Sequence, residues 1–403
     1  MDNRLALLGG APIRSELFPS RNQFGMDARA AVNQVFDYYA SIGQDFGTQG
    51  FFEKRYTDEF VRFQGGLGYC DAVCSGTAAI YVALGALNLP QGSAVLMSPI
   101  ADSGCLSAII LNRLIPKLID TGNGLYNATL EEIESRCDAR VSCIFLVHSA
   151  GTPIREIEAI SEYCRSRKIA LLEDCSQCQG AVVNRRRVGG FGDVSVFSTM
   201  NTKNHSTGGA GGLIYTRNQA IYNRGRMLAD RGKPFHEDGF DPKDPRQLKV
   251  PALNLPQDEL SCSIGFVTLQ KLDRIRIQRV ELIQYLNERL SRDSKTCLGL
   301  PVTKDDSPFF WPIRFHSIGA NCDKNSFTVA LAAEGIPINP HYRYLASEWP
   351  WAKPYLVDDF HPKNASEMVA NSFNLLFHEN FSSADMDDIA NAILKVERHF
   401  LDS

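Results

Sequence analysis

The sequence predicts an α/β protein: a mostly parallel central sheet with helices on both faces, followed by a smaller C-terminal α+β domain. Three observations carry this. Strand-like and helix-like stretches alternate from Tyr69 to Thr216. The strand-like stretches are continuous apolar runs such as VSCIFLV, as strands covered on both faces require. From about Asp241 the texture changes to a proline-broken charged loop, a long helical pattern and mixed short elements. The expected divisions are an N-terminal segment 1–45, a large α/β domain 46–250, and a connecting helix with a small domain over 251–403.

In chain order, DARAAVNQVFDYYASI and FFEKRYTDEFVRFQGG carry helical spacing. YCDAVCSGTAAIYVALGALNL reads as a strand, a turn at Ser75-Gly76-Thr77 and an alanine-rich helix. SAVLMSPIA is a strand, SGCLSAIILNRL a helix, and IPKLID a strand ending on Asp120. TLEEIESRC, VSCIFLVHS and IREIEAISEYCRSRK follow as helix, strand and helix. IALLED is a strand ending on Glu173-Asp174, and DVSVFST and GGLIYT are two more. The spacing then predicts one helix of about 35 residues ending near Asp293, and a C-terminal helix from Ser383.

With 403 residues the chain can bury a large core. A net charge of −4 gives no electrostatic reason to expect nucleic acid or an anionic membrane as partner. No apolar run approaches the ~20 residues that span a bilayer. The N-terminus lacks the pattern of a secretory signal, so a cytoplasmic protein is expected. Eleven cysteines are present. Cys74, Cys143 and Cys164 fall in stretches that read as buried. Cys175 and Cys178 form a C-x-x-C with no second pair, half of what a structural zinc site needs. Reduced structural thiols and no metal are expected, with a redox pair or a metal site as the alternatives.

Four signals fall on the large domain in one order. The Ser75-Gly76-Thr77 turn opens a helix after a strand and would aim backbone N–H groups at an anion. Asp174 ends a strand, where open α/β sheets bind ligands. Ser198 ends another strand, five residues before Lys203. Lys203 precedes a glycine-rich run that lets backbone pass close to a bulky ligand. A carboxylate for a ring nitrogen, donors for a phosphate and a lysine for an aldehyde are what pyridoxal 5′-phosphate (PLP) needs.

At these residues the chain resembles the DegT/StrS-type sugar aminotransferases, which are fold-type I PLP enzymes. The resemblance runs from LALLGGAPIR through CSGTAAIYVALGAL, LIDTGNGLYNATLEEIE and VHSAGTP. It is strongest in ALLEDCSQCQGA, RRVGGFGDVSVFS and TKNHSTGGAGGLIYT. It implies that Lys203 binds the cofactor covalently and moves the substrate proton, and that Asp174 salt-bridges the pyridine nitrogen. Gln177 is implied to bond or pack on the ring near its 3-oxygen. Gly76, Thr77 and Ser198 are the implied phosphate ligands. Asn254 is implied to reach the phosphate of a neighbouring subunit, giving a homodimer with shared active sites. His341 and Tyr342 fall where the small domain approaches the substrate.

The implied reaction moves an amino group from L-glutamate to a keto sugar, often nucleotide-linked, or a cyclitol ketone. A PLP-dependent sugar dehydratase and a non-catalytic PLP-binding regulator are the alternatives. The sequence departs from the family pattern in four places. Asp102 stands where an aromatic often stacks on the cofactor ring. Gly209 and Ala210 replace a glutamate and a glycine, and Pro256 replaces an arginine. The C-x-x-C around Gln177 is the fourth. His205, two residues beyond Lys203, reads as a structural residue or as an additional acid/base or substrate contact.

Overall fold

The computed structural model describes residues 4–317 and 322–402. Two helices open the chain, α1 (Met26–Ser41) and α2 (Phe51–Phe63). The large domain follows as β1 (Tyr69–Val73), α3 (Gly76–Leu87), β2 (Ala94–Met97), α4 (Ser103–Leu111), β3 (Ile115–Leu118), α5 (Leu130–Arg136), β4 (Val141–Val147), α6 (Ile157–Arg167) and β5 (Ala170–Asp174). A short hairpin, β6 (Val182–Val183) and β7 (Arg186–Arg187), precedes β8 (Val194–Ser198), β9 (Gly212–Thr216) and α7 (Gln219–Ala229).

Seven of these strands form one sheet in the order β1-β9-β8-β5-β4-β2-β3. Only β9 runs against the others. The C-terminal ends of β1, β2, β4, β5 and β8 therefore share one edge. Side-chain caps start the helices there: Ser75 Oγ accepts from the Ala78 N–H at 3.0 Å and Asp102 from the Gly104 N–H at 2.8 Å.

The single long helix expected after residue 258 is two helices, α8 (Glu259–Leu269) and α9 (Leu272–Asp293). Buried residues Cys262, Gly265, Thr268, Leu272, Ile275 and Arg279 keep helical spacing across the bend, which hides it from the sequence. Packing imposes it: α8 lies on α1 and α2, whereas α9 lies against the C-terminal helix α12 (Ser383–Leu401). Cys74 is exposed, contrary to expectation, because β1 ends at Val73 and Cys74 sits in the bend that follows. Cys143 and Cys164 are buried.

Between α9 and α12 lie β10 (Cys297–Gly299), β11 (Trp311–Phe315), α10 (Lys324–Ala333), β12 (Ile338–Asn339), α11 (Lys363–Ala370) and β13 (Ser372–Leu375). The four strands form an antiparallel sheet, β10-β11-β13-β12. Its core, around the fully buried Trp311 and Phe373, also takes in Leu5 from the chain's beginning and Ile100 and Ala150 from the large domain.

The junction of the two sheets is tight after β4. Gly151 has φ +94°, and a Cβ there would overlap the Ser307 carbonyl and come within 2.5 Å of Pro308 Cα. The Ser307 N–H also donates to the Gly151 carbonyl at 2.8 Å. Gly151→Ala is expected to cost ~2 kcal/mol or more through strain and overlap. A thermal melt lowered by several degrees would show it; an unchanged melting temperature would refute it.

Candidate active site

The sheet edge gathers most of the residues singled out in the sequence. Gly76 lies against Ser198, so that a Cβ on Gly76 would come within 2.6 Å of Ser198 Cβ. The N–H groups of Gly76 and Thr77 open α3, and the Thr77 and Ser198 hydroxyls flank them. None of these donors has a hydrogen-bond partner among the described residues. Four donors at the start of a twelve-residue helix make a cradle for a phosphate-sized anion.

Asp174 is 4% exposed at the end of β5, near the middle of the sheet. One carboxylate oxygen accepts from the Ser176 N–H at 2.9 Å, and the other accepts from the Cys105 thiol at 3.6 Å. Burial raises its pKa, opposed by Ser176, by attraction to Lys203 and by Cys105. Lys203 is 9% exposed, its Nζ 4.2 Å from the centre of the Phe309 ring. Burial lowers its pKa, opposed by Asp174 and Asp102. Both groups are thus driven toward their uncharged forms. A cationic ring nitrogen bound at Asp174 would supply the missing partner charge and leave Lys203 a neutral amine, its nucleophilic form.

Gln177 Nε2 donates to the Tyr342 hydroxyl at 3.2 Å, and its Oε1 accepts from the Ala150 N–H at 2.8 Å. Tyr342 is buried and tilts against Phe310, Tyr126 and Tyr344. The segment carrying it pairs with the loop after β2: the Ala101 N–H donates to the Tyr344 carbonyl at 3.0 Å. Asp102 caps α4 beside Thr77, and its charge acts on Lys203, Cys105 and Tyr342.

Three predicted residues lie apart. The His205 ring is fully buried between α2 and α8, with Nε2 2.9 Å from the Tyr56 hydroxyl and 3.2 Å from the Gly265 carbonyl. None of its hydrogen-bond partners is a residue of the cleft. Burial lowers its pKa to about 4. His341 is exposed on the loop after β12. Asn254 is exposed on a strand-like segment running beside the end of β1, where Pro256 bridges Val73.

His205 gives a pH prediction. It titrates near 6.5 when unfolded and near 4 when folded. Between those values the unfolded chain binds more protons. This contribution to stability is therefore complete above pH 6.5 and is lost as pH falls toward 4. His205→Gln should flatten the fall in melting temperature between pH 6.5 and 4; an identical slope would refute this.

Cys175 and Cys178 of the C-x-x-C are free cysteines. Both sulfurs are fully buried and burial pushes both thiols well up. Cys175 does lie with His148 and Glu173 within 4.8 Å. However, Glu173 accepts from the N–H groups of Gly189, Phe191 and Gly192 and from His148 Nε2, and His148 Nδ1 accepts from Ile154. These lone pairs are already engaged. Among the described residues, no helix is long and apolar enough to cross a membrane.

Residues 31–394 match the DegT/DnrJ/EryC1/StrS aminotransferase family. The chain belongs to this family. A putative L-glutamine:3-amino-2,3-dideoxy-scyllo-inosose aminotransferase from Streptoalloteichus tenebrarius is 25% identical, with 99% of each chain covered. The aminotransferase from Psychrobacter cryohalolentis superposes with a TM-score of 0.85 at 20% identity, covering 96% of this chain and 99% of that one. The GDP-4-keto-6-deoxy-D-mannose-3-dehydratase of E. coli, solved with hydrated PLP, gives 0.81 at 20% identity over 95% and 99%. Both structures share this chain's fold.

Cys105, Phe309 and the Ala150 N–H were not foreseen as site residues. Each reaches the cleft through tertiary contact. Only the VHSAGTP stretch, quoted for its family resemblance, pointed toward Ala150.

Proposed function

We propose that the protein is a homodimeric, PLP-dependent aminotransferase that moves an amino group from L-glutamate or L-glutamine to the ketone of a cyclitol or sugar. The observation that carries this is the buried Lys203–Asp174 pair beside the unpartnered donors of Gly76, Thr77 and Ser198. When bound, PLP would supply an electron sink that stabilises the carbanion formed as the amino-bearing carbon loses its proton.

This chain's residues do the rest. The α3 N-terminus, Thr77 and Ser198 fix the phosphate. Asp174 would hold the ring nitrogen charged, and Gln177, steadied by Ala150 and Tyr342, would bond or pack on the ring. Lys203 would take the proton from the amino-bearing carbon and return it two atoms away, on the far side of the nitrogen bonded to that carbon, a transfer its lowered basicity suits. The Asn254 segment, exposed beside the end of β1, would complete the same site in a second copy of the chain. Free buried thiols suit a reducing cytoplasm.

The names of relatives favour a cyclitol ketone or a nucleotide-linked keto sugar. The test is the absorption spectrum of the PLP-loaded protein before and after each amino acid. Loss of the lysine-linked cofactor band, and its return on adding a deoxy-inosose or a nucleotide-linked 4-keto sugar, would identify both halves. Bound cofactor indifferent to every donor would overturn the proposal.

A further inference from the structure

One carboxylate, far from the cleft in sequence, ties together the segments that hold Lys203. The chain from Thr199 to Gly211 contains no regular element, so the strands alone do not fix Nζ. Its carbonyls are held from the N-terminal segment. Arg21 NH1 donates to Thr202 O at 3.0 Å and to Asn201 O at 3.5 Å. Arg21 NH2 reaches Asn204 O at 3.5 Å, and Gln23 Nε2 reaches Lys203 O at 3.3 Å.

That segment is anchored in turn on residues 378–381. Phe18 stacks on Phe381 at 4.9 Å, His378 Nε2 donates to Pro19 O at 2.8 Å, and Asn380 Nδ2 donates to Arg21 O at 2.6 Å. Opposite Lys203 lies the loop bearing Phe309. Arg279 of α9, 2% exposed, donates through NH1 to the carbonyls of Pro308 at 3.2 Å and Phe309 at 3.0 Å. Asn204 Nδ2 joins the two loops, donating to Ser307 Oγ at 3.1 Å and Pro308 O at 3.2 Å.

Both arginines end on Glu379. Its Oε1 takes Arg21 Nε at 3.0 Å; its Oε2 takes Arg279 Nε at 2.9 Å and NH2 at 2.8 Å. We propose that Glu379 is a positioning residue for Lys203, one carboxylate clamping through Arg21 and Arg279 the two loops between which the lysine amine is set. The proposal rests on the reading of Lys203 as the cofactor-binding lysine.

The physical reason is charge. The carboxylate stands between two largely buried cations that repel each other across it. Neutralising it leaves both guanidiniums uncompensated, which is strongly unfavourable in a buried site. Arg21 is the less buried, at 15% side-chain exposure against 2% for Arg279, and is the one free to turn to solvent. Its departure releases the carbonyls of Asn201, Thr202 and Asn204. A misplacement of ~1 Å at a reacting group costs on the order of a hundredfold in rate.

The test uses PLP-loaded wild type, Glu379→Gln, Glu379→Asp and Arg21→Met. Borohydride reduction and peptide mass spectrometry on the wild type report whether Lys203 carries the cofactor. Melting temperature, the pH midpoint of the lysine-linked cofactor's absorbance, and the rate of cofactor conversion by L-glutamate and L-glutamine are then compared.

The expected result is a shifted pH midpoint and an about tenfold or greater loss of rate in Glu379→Gln and Arg21→Met, with partial rescue in Glu379→Asp. The pH midpoint needs no donor, and a merely stabilising residue would not move it. Folded variants with wild-type midpoint and rate would overturn the proposal. If Glu379→Gln fails to fold, Arg21→Met decides alone, because it leaves Arg279 paired. An unlabelled Lys203 in the wild type would remove the underlying reading and the inference with it.

Discussion

Lys203→Ala is expected to abolish turnover, by ~10⁴-fold or more, while leaving a folded protein that still binds PLP. The two halves of this expectation have separate causes. On the proposed reading, the rate depends on an amine that both links the cofactor and moves the substrate proton. His205, the neighbouring candidate, is buried between α2 and α8 and hydrogen-bonds away from the cleft. Binding would depend instead on the α3 N-terminus, Thr77, Ser198 and Asp174, which the substitution leaves in place. Removing a desolvated amine should not lower the melting temperature of the cofactor-free protein. Turnover within tenfold of wild type, measured with any donor that converts the wild-type cofactor, would refute the assignment.

Asp174→Asn is expected to lower the donor half-reaction by ~10²–10³-fold and to weaken PLP binding. The asparagine keeps the shape of the side chain, and its amide can still meet Ser176 and Cys105. It removes the charge that keeps a ring nitrogen protonated in a site without solvent, where preorganised charge is worth most. Burial sharpens the contrast, because at 4% exposure no water replaces the lost carboxylate. Single-turnover rates against PLP titrations separate the two effects. A variant with unchanged rate and affinity would show that the ring nitrogen is not held there.

Much of this was legible in the sequence for a local reason. The strands are short apolar runs ending in polar residues, and each end marks a site position: Ser75 after β1, Asp102 after β2, Asp174 at the end of β5, Ser198 at the end of β8. What was hidden has tertiary causes. The bend between α8 and α9 is set by two different packing partners while the apolar spacing runs on unchanged. Cys105 meets Asp174 only because α4 and β5 share the sheet edge. Phe309 lies over Lys203 only because the small domain closes on the large one at Gly151. The exposure of Cys74 turns on a strand ending one residue early.

The clamp on Lys203 also fixes when the site can exist. Arg21 and Glu379 are 358 residues apart. At 5–20 residues per second a ribosome makes the second roughly 20–70 s after the first. The segment that covers the lysine loop is thus made long before the anchor it docks on. During synthesis the large sheet can form with its phosphate cradle complete and its lysine uncovered. The nascent chain cannot set that amine until Glu379 has emerged, so a ribosome-stalled chain ending before Glu379 should bind cofactor without holding it in reactive register.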